Sequence, residues 1–218
     1  MSDRKKTSGT RQGKEWQRTE GLERSLRKRE DYSRTKKTEY AGVYDRDGNP
    51  IIEKHGQKGS VSFYPWEADR FEGATMTHNH PNDSCFSSAD ISTSEMTGLM
   101  EIRATTSTGK TYCLRRTKAS DAKRGQPSAL GGLYEREAES HMRTVIRPGF
   151  DADRARLGDK PIRRASETHE QYGARYTAWA KSYNGLVKKW NDRYNAHLSG
   201  WLRDNSKKYG WSYREEQK

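Results

Sequence analysis

The stretch TMTHNHPNDSCFSSADI, residues 75–91, concentrates the side chains that could do chemistry. In an extended segment residues i and i+2 share a face, so His78 and His80 would present two imidazoles side by side at the end of a strand. Asp90 follows ten residues after His80, in the first turn of an expected helix, where its carboxylate could serve as a third ligand. Three protein ligands and one open position form the catalytic arrangement for Zn²⁺, which lowers the pKa of a bound water to about 7. Such a site also needs a general base, most often a Glu. Glu39, at the head of the first expected strand, is the candidate, and spacing alone leaves Glu53, Glu67, Glu72 and Glu101 open as well. The same residues have a purely structural reading. Ser87-x-x-Asp90 fits a helix capping box, as does Ser92-x-x-Glu95, and a bare HxH beside a Pro-Asn-Asp turn is a weak signal. The chain has no CxxC, HExxH, GxSxG or phosphate-binding GxxxxGK[ST] pattern. It therefore lacks the signatures of the zinc deaminases, zincins, α/β-hydrolases and P-loop enzymes.

The elements that must position these residues are mostly short strands. YAGVYD and PIIEK flank Asp47-Gly48, a strong hairpin signal. SVSFY and GATMTH predict two further strands, and MEIRATT with TGKTYCLRR predicts a second hairpin turning at Ser107–Lys110. SSADISTSEMTGLM predicts a helix beginning near Ser87. Sheet plus helix gives an α/β or α+β domain.

Composition divides the chain into four segments. Residues 1–38 carry 13 Lys or Arg against 6 Asp or Glu and few apolar side chains, which predicts a basic, largely disordered arm. Within it Arg27, Lys28, Arg29, Lys36 and Lys37 are the candidate nucleic-acid contacts. Residues 39–117 hold the candidate chemistry. Residues 118–165, with RGQPSALGG, RPGF and GDKP as breakers, predict a connector with one helix near Leu133–Ile146. Residues 166–218 predict one long helix and a tail. Tyr172, Tyr176, Trp179, Tyr183, Trp190, Tyr194, Leu198 and Trp201 recur there at helical spacing, with Thr168-x-x-Gln171 as a capping box and Gly200 and Gly210 as possible stops. This aromatic stripe is expected to be buried, against the core or in a homo-oligomer, in preference to serving as a stacking platform for single strands.

The net charge of +12 favours a polyanionic partner, nucleic acid ahead of an anionic membrane. No run approaches the roughly 18 apolar residues of a membrane span, and the N-terminus lacks a signal peptide's apolar centre, so a soluble cytoplasmic protein is expected. Cys85 and Cys113 are expected to be reduced thiols.

THNHPNDSCFSSADI resembles the H-x-H-P then S-x-x-D signature of the JAB/MPN (JAMM) metalloproteases, and the Asn between the histidines with the following Pro is most similar to the RadC-like branch. EYAGVYDRDGNPI resembles the family segment in which a Glu precedes a Gly-containing strand. The resemblance spans roughly residues 39–117. It implies a curved β-sheet with flanking helices, Zn²⁺ held by His78, His80 and Asp90, Glu39 as general base, and Ser87 at the oxyanion. The implied activity is hydrolysis of peptide or isopeptide bonds in a protein or peptide substrate, although many family members are scaffolds. Two departures stand out. The loop from His80 is one residue short, which leaves the family serine between Ser87 and Ser88, and Cys85-Phe86 replaces the Pro-rich loop common there. The order GVYDRDGN, SVSF, THNHP, EIRA also resembles segments attached to phage head-morphogenesis proteins, implying a bacterial host cytoplasm or a virion. Two function classes follow: a zinc (iso)peptidase tethered to a nucleoprotein by its basic arm, or a non-enzymatic nucleic-acid-binding or assembly protein on the same scaffold.

Overall fold

In a computed structural model of the chain, residues 17–118, 121, 125 and 129–218 are described. The architecture is α+β, a six-stranded mixed sheet with helices on both faces. The strands are β1 (Tyr40–Tyr44), β2 (Pro50–His55), β3 (Thr75–His80), β4 (Glu101–Thr106), β5 (Lys110–Arg116) and β6 (Trp211–Gln217), in spatial order β2-β1-β3-β4-β5-β6. The helices are α1 (Glu20–Ser33), the single turn α2 (Pro65–Ala68), α3 (Ser88–Thr97), α4 (Leu130–His141), α5 (Arg147–Leu157) and α6 (His169–Asn205). All neighbouring strands are antiparallel except β3 and β4, which are parallel and joined through α3. A parallel pair needs such a crossover because its ends lie at opposite edges.

Strand alternation assigns the two faces. Val43, Met76, Ile102, Ala104, Tyr112 and Leu114 point to one side, where they pack with Ile91, Leu130, Tyr134, Leu198, Leu202 and Trp211 in the main core. His78 pairs with Ala41, two residues before Val43, so His78 and His80 belong to this same face at the end of β3. Thr77, Asn79 and Arg103 point to the other side, under α1. Both faces of β3 are therefore covered, and all six of its residues are buried.

The two expected hairpins form, the first with Gly48 at φ +89°, a left-handed conformation that favours glycine. The expected strand over SVSFY does not; residues 60–64 carry no regular structure.

Three further expectations are corrected. The arm over 1–38 is only partly open to description, because residues 1–16 lie outside the described residues. Residues 20–33 form a packed helix. Thr19 caps it by accepting from the Leu22 N–H at 3.1 Å, and Leu22, Leu26, Glu30 and Ser33 make its buried stripe. Only the two leucines of that stripe are apolar, so charge density hides it. Second, the connector is more helical than its Pro and Gly suggest. Helix runs from Leu130 to Leu157 through RPGF, because a π-turn over Met142–Ile146 widens the coil just before Pro148, which lacks an N–H and would crowd the preceding turn. Third, Gly200 does not stop α6, and the tail beyond Gly210 is β6, paired along β5 from Trp211↔Arg116 to Gln217↔Lys110.

The aromatic stripe of α6 is buried only toward its C-terminus. Trp190 and Leu198 are buried, Tyr194 and Trp201 half-buried. Over Tyr172–Tyr183 the rings lie against α5 and the segment after it and remain partly open, with Tyr176 37% exposed. Trp179 Nε1 donates to the Gly158 carbonyl at 3.2 Å, and Phe150 meets Tyr183 edge to face.

Candidate metal centre

β3 and α3 bring His78, His80 and Asp90 together. The two Nε2 atoms are 2.9 Å apart, Asp90 Oδ1 lies 3.2 Å from His78 Nε2, and Asp90 Oδ2 lies 3.4 Å from His80 Nε2. Donor atoms about 2.0 Å from one tetrahedral ion stand about 3.3 Å from each other. The spacing and the N, N, O donor set therefore suit a small divalent cation. Both imidazoles are buried and the Asp90 side chain is 17% exposed, so the open side of the cluster faces a cleft. His78 Nδ1 is buried without a partner, which leaves Nε2 as the ring's only polar outlet. Among the described residues this is the one group of three or more ligand-type side chains so placed.

Asp90 reconciles the metal and capping readings. Ser87 is the N-cap of α3; its N–H and Oγ donate to Asp90 Oδ2 at 2.7 and 2.8 Å, and its Oγ accepts from the Asp90 N–H at 3.2 Å. The capping box thus aims the carboxylate at the histidines. Burial opposes ionisation of Asp90, but the imidazoles of His78 and His80 outweigh it and hold the carboxyl well below the usual range. Burial likewise opposes charging of His80, whose pKa is nonetheless raised by Asp90, the Ser84 carbonyl and Glu39. Ser87 lines the cleft and Ser88 does not, so only the former is placed to meet a ligand there.

The sheet register also ranks the acids. Ala41 pairs with His78, and Glu39, two residues earlier, falls on the same face beside the end of β3. Glu39 lines the cleft and its pKa is raised, because burial outweighs the nearby imidazoles of His78 and His80. The other candidates are elsewhere. Glu53 accepts from Tyr44 Oη at 2.5 Å, Glu67 pairs with Lys54 at 2.6 Å, Glu101 is buried with Arg18 and Arg103 on the opposite face, and Glu72 does not line the cleft.

Several contributors went unread in the sequence. Asn79, between the histidines but facing α1, accepts from the Tyr40 N–H at 2.7 Å and donates to the Thr38 carbonyl at 3.0 Å, pinning the backbone on both sides of Glu39. Its position in HNH was the available signal. Ser84 engages His80 Nδ1 through its carbonyl at 2.9 Å, turning Nε2 toward the cluster. Asp83 takes a left-handed φ of +58° and is held by Ser107, whose N–H and Oγ donate to its carboxylate at 2.7 and 2.9 Å. Cys85 and Phe86 do not line the metal-site cleft; both are buried. Burial pushes the thiols of Cys85 and Cys113 up to about 12, which makes them poor nucleophiles.

The cleft beside the cluster encloses about 690 Å³ between the segment Lys58–Phe63 and the α3 side chains Ser92, Thr93 and Met96. The expected nucleic-acid contacts separate. Arg27, Lys28 and Lys37 are exposed and Lys36 lies over the Tyr32 ring at 4.4 Å. Arg29 is half-buried, its guanidinium donating to the Ala41 carbonyl at 2.8 Å and facing Glu53 at 3.5 Å. No helix of the described residues is long and apolar enough to cross a membrane. No protein-family model, curated protein or solved structure matches the chain.

Proposed function

We propose that His78, His80 and Asp90 hold a Zn²⁺ ion and that the protein is a JAMM-type hydrolase of peptide or isopeptide bonds. The observation that carries this reading is the convergence of three ligand side chains, each offering one donor atom and all within 4.8 Å of one another, with Glu39 on the rim of the same cleft. When bound, zinc supplies an acidified water and polarises a carbonyl. The chain supplies the rest. Glu39 accepts a proton at its carboxylate and returns it to the leaving amine, a task suited to a carboxyl whose pKa is raised. Ser87, at the cleft edge, holds Asp90 Oδ2 through both its N–H and its Oγ, so the hydroxyl can turn its one hydrogen to a substrate oxygen while the N–H keeps Asp90 oriented. Segment 58–63 and α3 form walls between which a peptide chain would lie.

The basic surface favours a second reading, a nucleic-acid-binding or virion-assembly protein on the same scaffold. Arg136, Arg143 and Arg147 line one depression beside Glu139 and have no ion-pair partner among the described residues, and Arg27, Lys28 and Lys37 are exposed on and after α1. One experiment separates the readings: a panel of peptide and isopeptide-linked substrates incubated with the protein before and after chelation. The hydrolase reading expects cleavage that chelator removes and Zn²⁺ restores. No cleavage with zinc supplied, alongside salt-sensitive binding of nucleic acid, would favour the scaffold.

A further inference from the structure

Loop 81–87, which joins the strand carrying both histidines to the helix carrying Asp90, has one wall made by a distant part of the chain. Within it, Ser84 fixes His80 Nδ1 and Ser87 fixes Asp90 Oδ2. Between these two residues the backbone makes two bonds to helices from the C-terminal half. The Cys85 N–H donates to Asn195 Oδ1 of α6 at 3.2 Å, and Tyr134 Oη of α4 donates to the Phe86 carbonyl at 2.6 Å. Cys85 and Phe86 carry their side chains into the core between the sheet and these helices. Tyr134 is itself fully buried, so its ring cannot shift without repacking its neighbours.

We infer that Tyr134 and Asn195 are positioning residues of the metal centre, which set the path of residues 84–87 and through it the aim of His80 and Asp90. This rests on the metal reading of the His78–His80–Asp90 cluster. Both residues lie outside 39–117, the part of the chain that resembles JAB/MPN proteins. They act at Cys85-Phe86, so two helices remote in sequence restrain the loop that joins the candidate ligands. A peptide N–H or carbonyl left unpaired at the buried Cys85-Phe86 step would draw the loop toward another partner and turn the ligands with it. Outer partners of metal ligands typically change affinity by about 10- to 100-fold.

The test is competition of the full-length, metal-free protein with a chromophoric chelator for Zn²⁺. Tyr134→Phe removes one hydroxyl from an otherwise unchanged ring, and Asn195→Ala removes the acceptor. Each should weaken zinc binding by about 10- to 100-fold. Asn195→Asp keeps an acceptor oxygen and should retain wild-type affinity, a rescue that general loosening of α6 would not give. His197→Ala is the packing control, since it breaks a 2.6 Å contact between His197 of α6 and Glu137 of α4 without touching the loop; it should leave zinc affinity unchanged. Should Asn195→Ala fail to fold, Tyr134→Phe decides alone. Wild-type affinity in both loop variants, or an equal loss in His197→Ala, overturns the inference while leaving the metal reading standing. A wild-type protein that takes up no zinc overturns both.

Discussion

Asp90 and Glu39 are two carboxyls a short distance apart with opposite chemical needs. In the proposed hydrolase the first would stay ionised to hold a cation and the second would take up and release a proton; the imidazoles of His78 and His80 lower the pKa of Asp90, and burial raises that of Glu39. Such a divergence is what an acid and base pair would need. Replacement of Glu39 by Gln preserves its size and hydrogen bonding but removes the proton acceptor. Zinc content of Glu39→Gln should equal that of wild type, while turnover of a cleaved peptide should fall by about 10²-fold or more. Wild-type turnover in this variant would assign the base elsewhere.

At the scale of elements, the parts that build the candidate site were the most legible in the sequence. HNH alternates on a strand, Ser87-x-x-Asp90 caps a helix, and Asp47-Gly48 closes a hairpin, all signals local to a few residues. The unread elements depend on distant partners. Helix α1 buries Glu30 because Arg103 waits on β4, with its Nε donating to Glu30 Oε1 at 2.6 Å. Strand β6 forms because β5 offers an edge to WSYREEQ, a sequence too polar to announce a strand. Tyr134 and Asn195 meet the site loop across 48 and 110 residues of chain, beyond any local pattern. The α6 stripe shows the same limit, because periodicity names a face without saying how far its cover extends. Trp190 sits against Gly149 so closely that a Cβ there would fall 2.0 Å from the ring, and its Nε1 donates to Asp153 at 3.0 Å. Trp190→Ala should therefore cost about 3–5 kcal/mol in chemical denaturation. Tyr176→Ala, on the open half of the same stripe, should stay within about 0.5 kcal/mol of wild type. Equal losses at the two positions would mean that the open half is covered in solution, as by a second copy.

Across the whole molecule, the face under α1 combines a small apolar cluster of Leu22, Leu26 and Tyr44 with a buried charge network, where the opposite face is held by apolar packing. Arg103 joins Glu30 of α1, Glu101 of β4 and Glu216 of β6, and Arg18 donates through Nε to Glu101 at 3.0 Å. This network links both ends of the described chain to the sheet. Burial opposes ionisation of Glu216, but Arg103, Arg18 and Arg214 outweigh it and lower its pKa from 4.5 to about 2. A depressed folded-state pKa contributes stability that is fully present above the unfolded value and fades as pH falls toward the folded one. Wild-type stability should accordingly decline between pH 4.5 and about pH 2, and Glu216→Gln should flatten that part of the curve. Parallel acid profiles for the two proteins would show that the network is too well solvated to matter.

The proposed hydrolase requires that three side chains from β3 and α3 hold one metal ion. The most direct measurement is elemental analysis of protein purified without chelator and dialysed against trace Zn²⁺, for wild type and for Asp90→Ala. The predicted result is about one zinc per chain in wild type, since a single ion satisfies all three donors, and loss of most of it in the variant. No zinc in the wild-type protein, or undiminished zinc in Asp90→Ala, would contradict the assignment of His78, His80 and Asp90 as a metal centre.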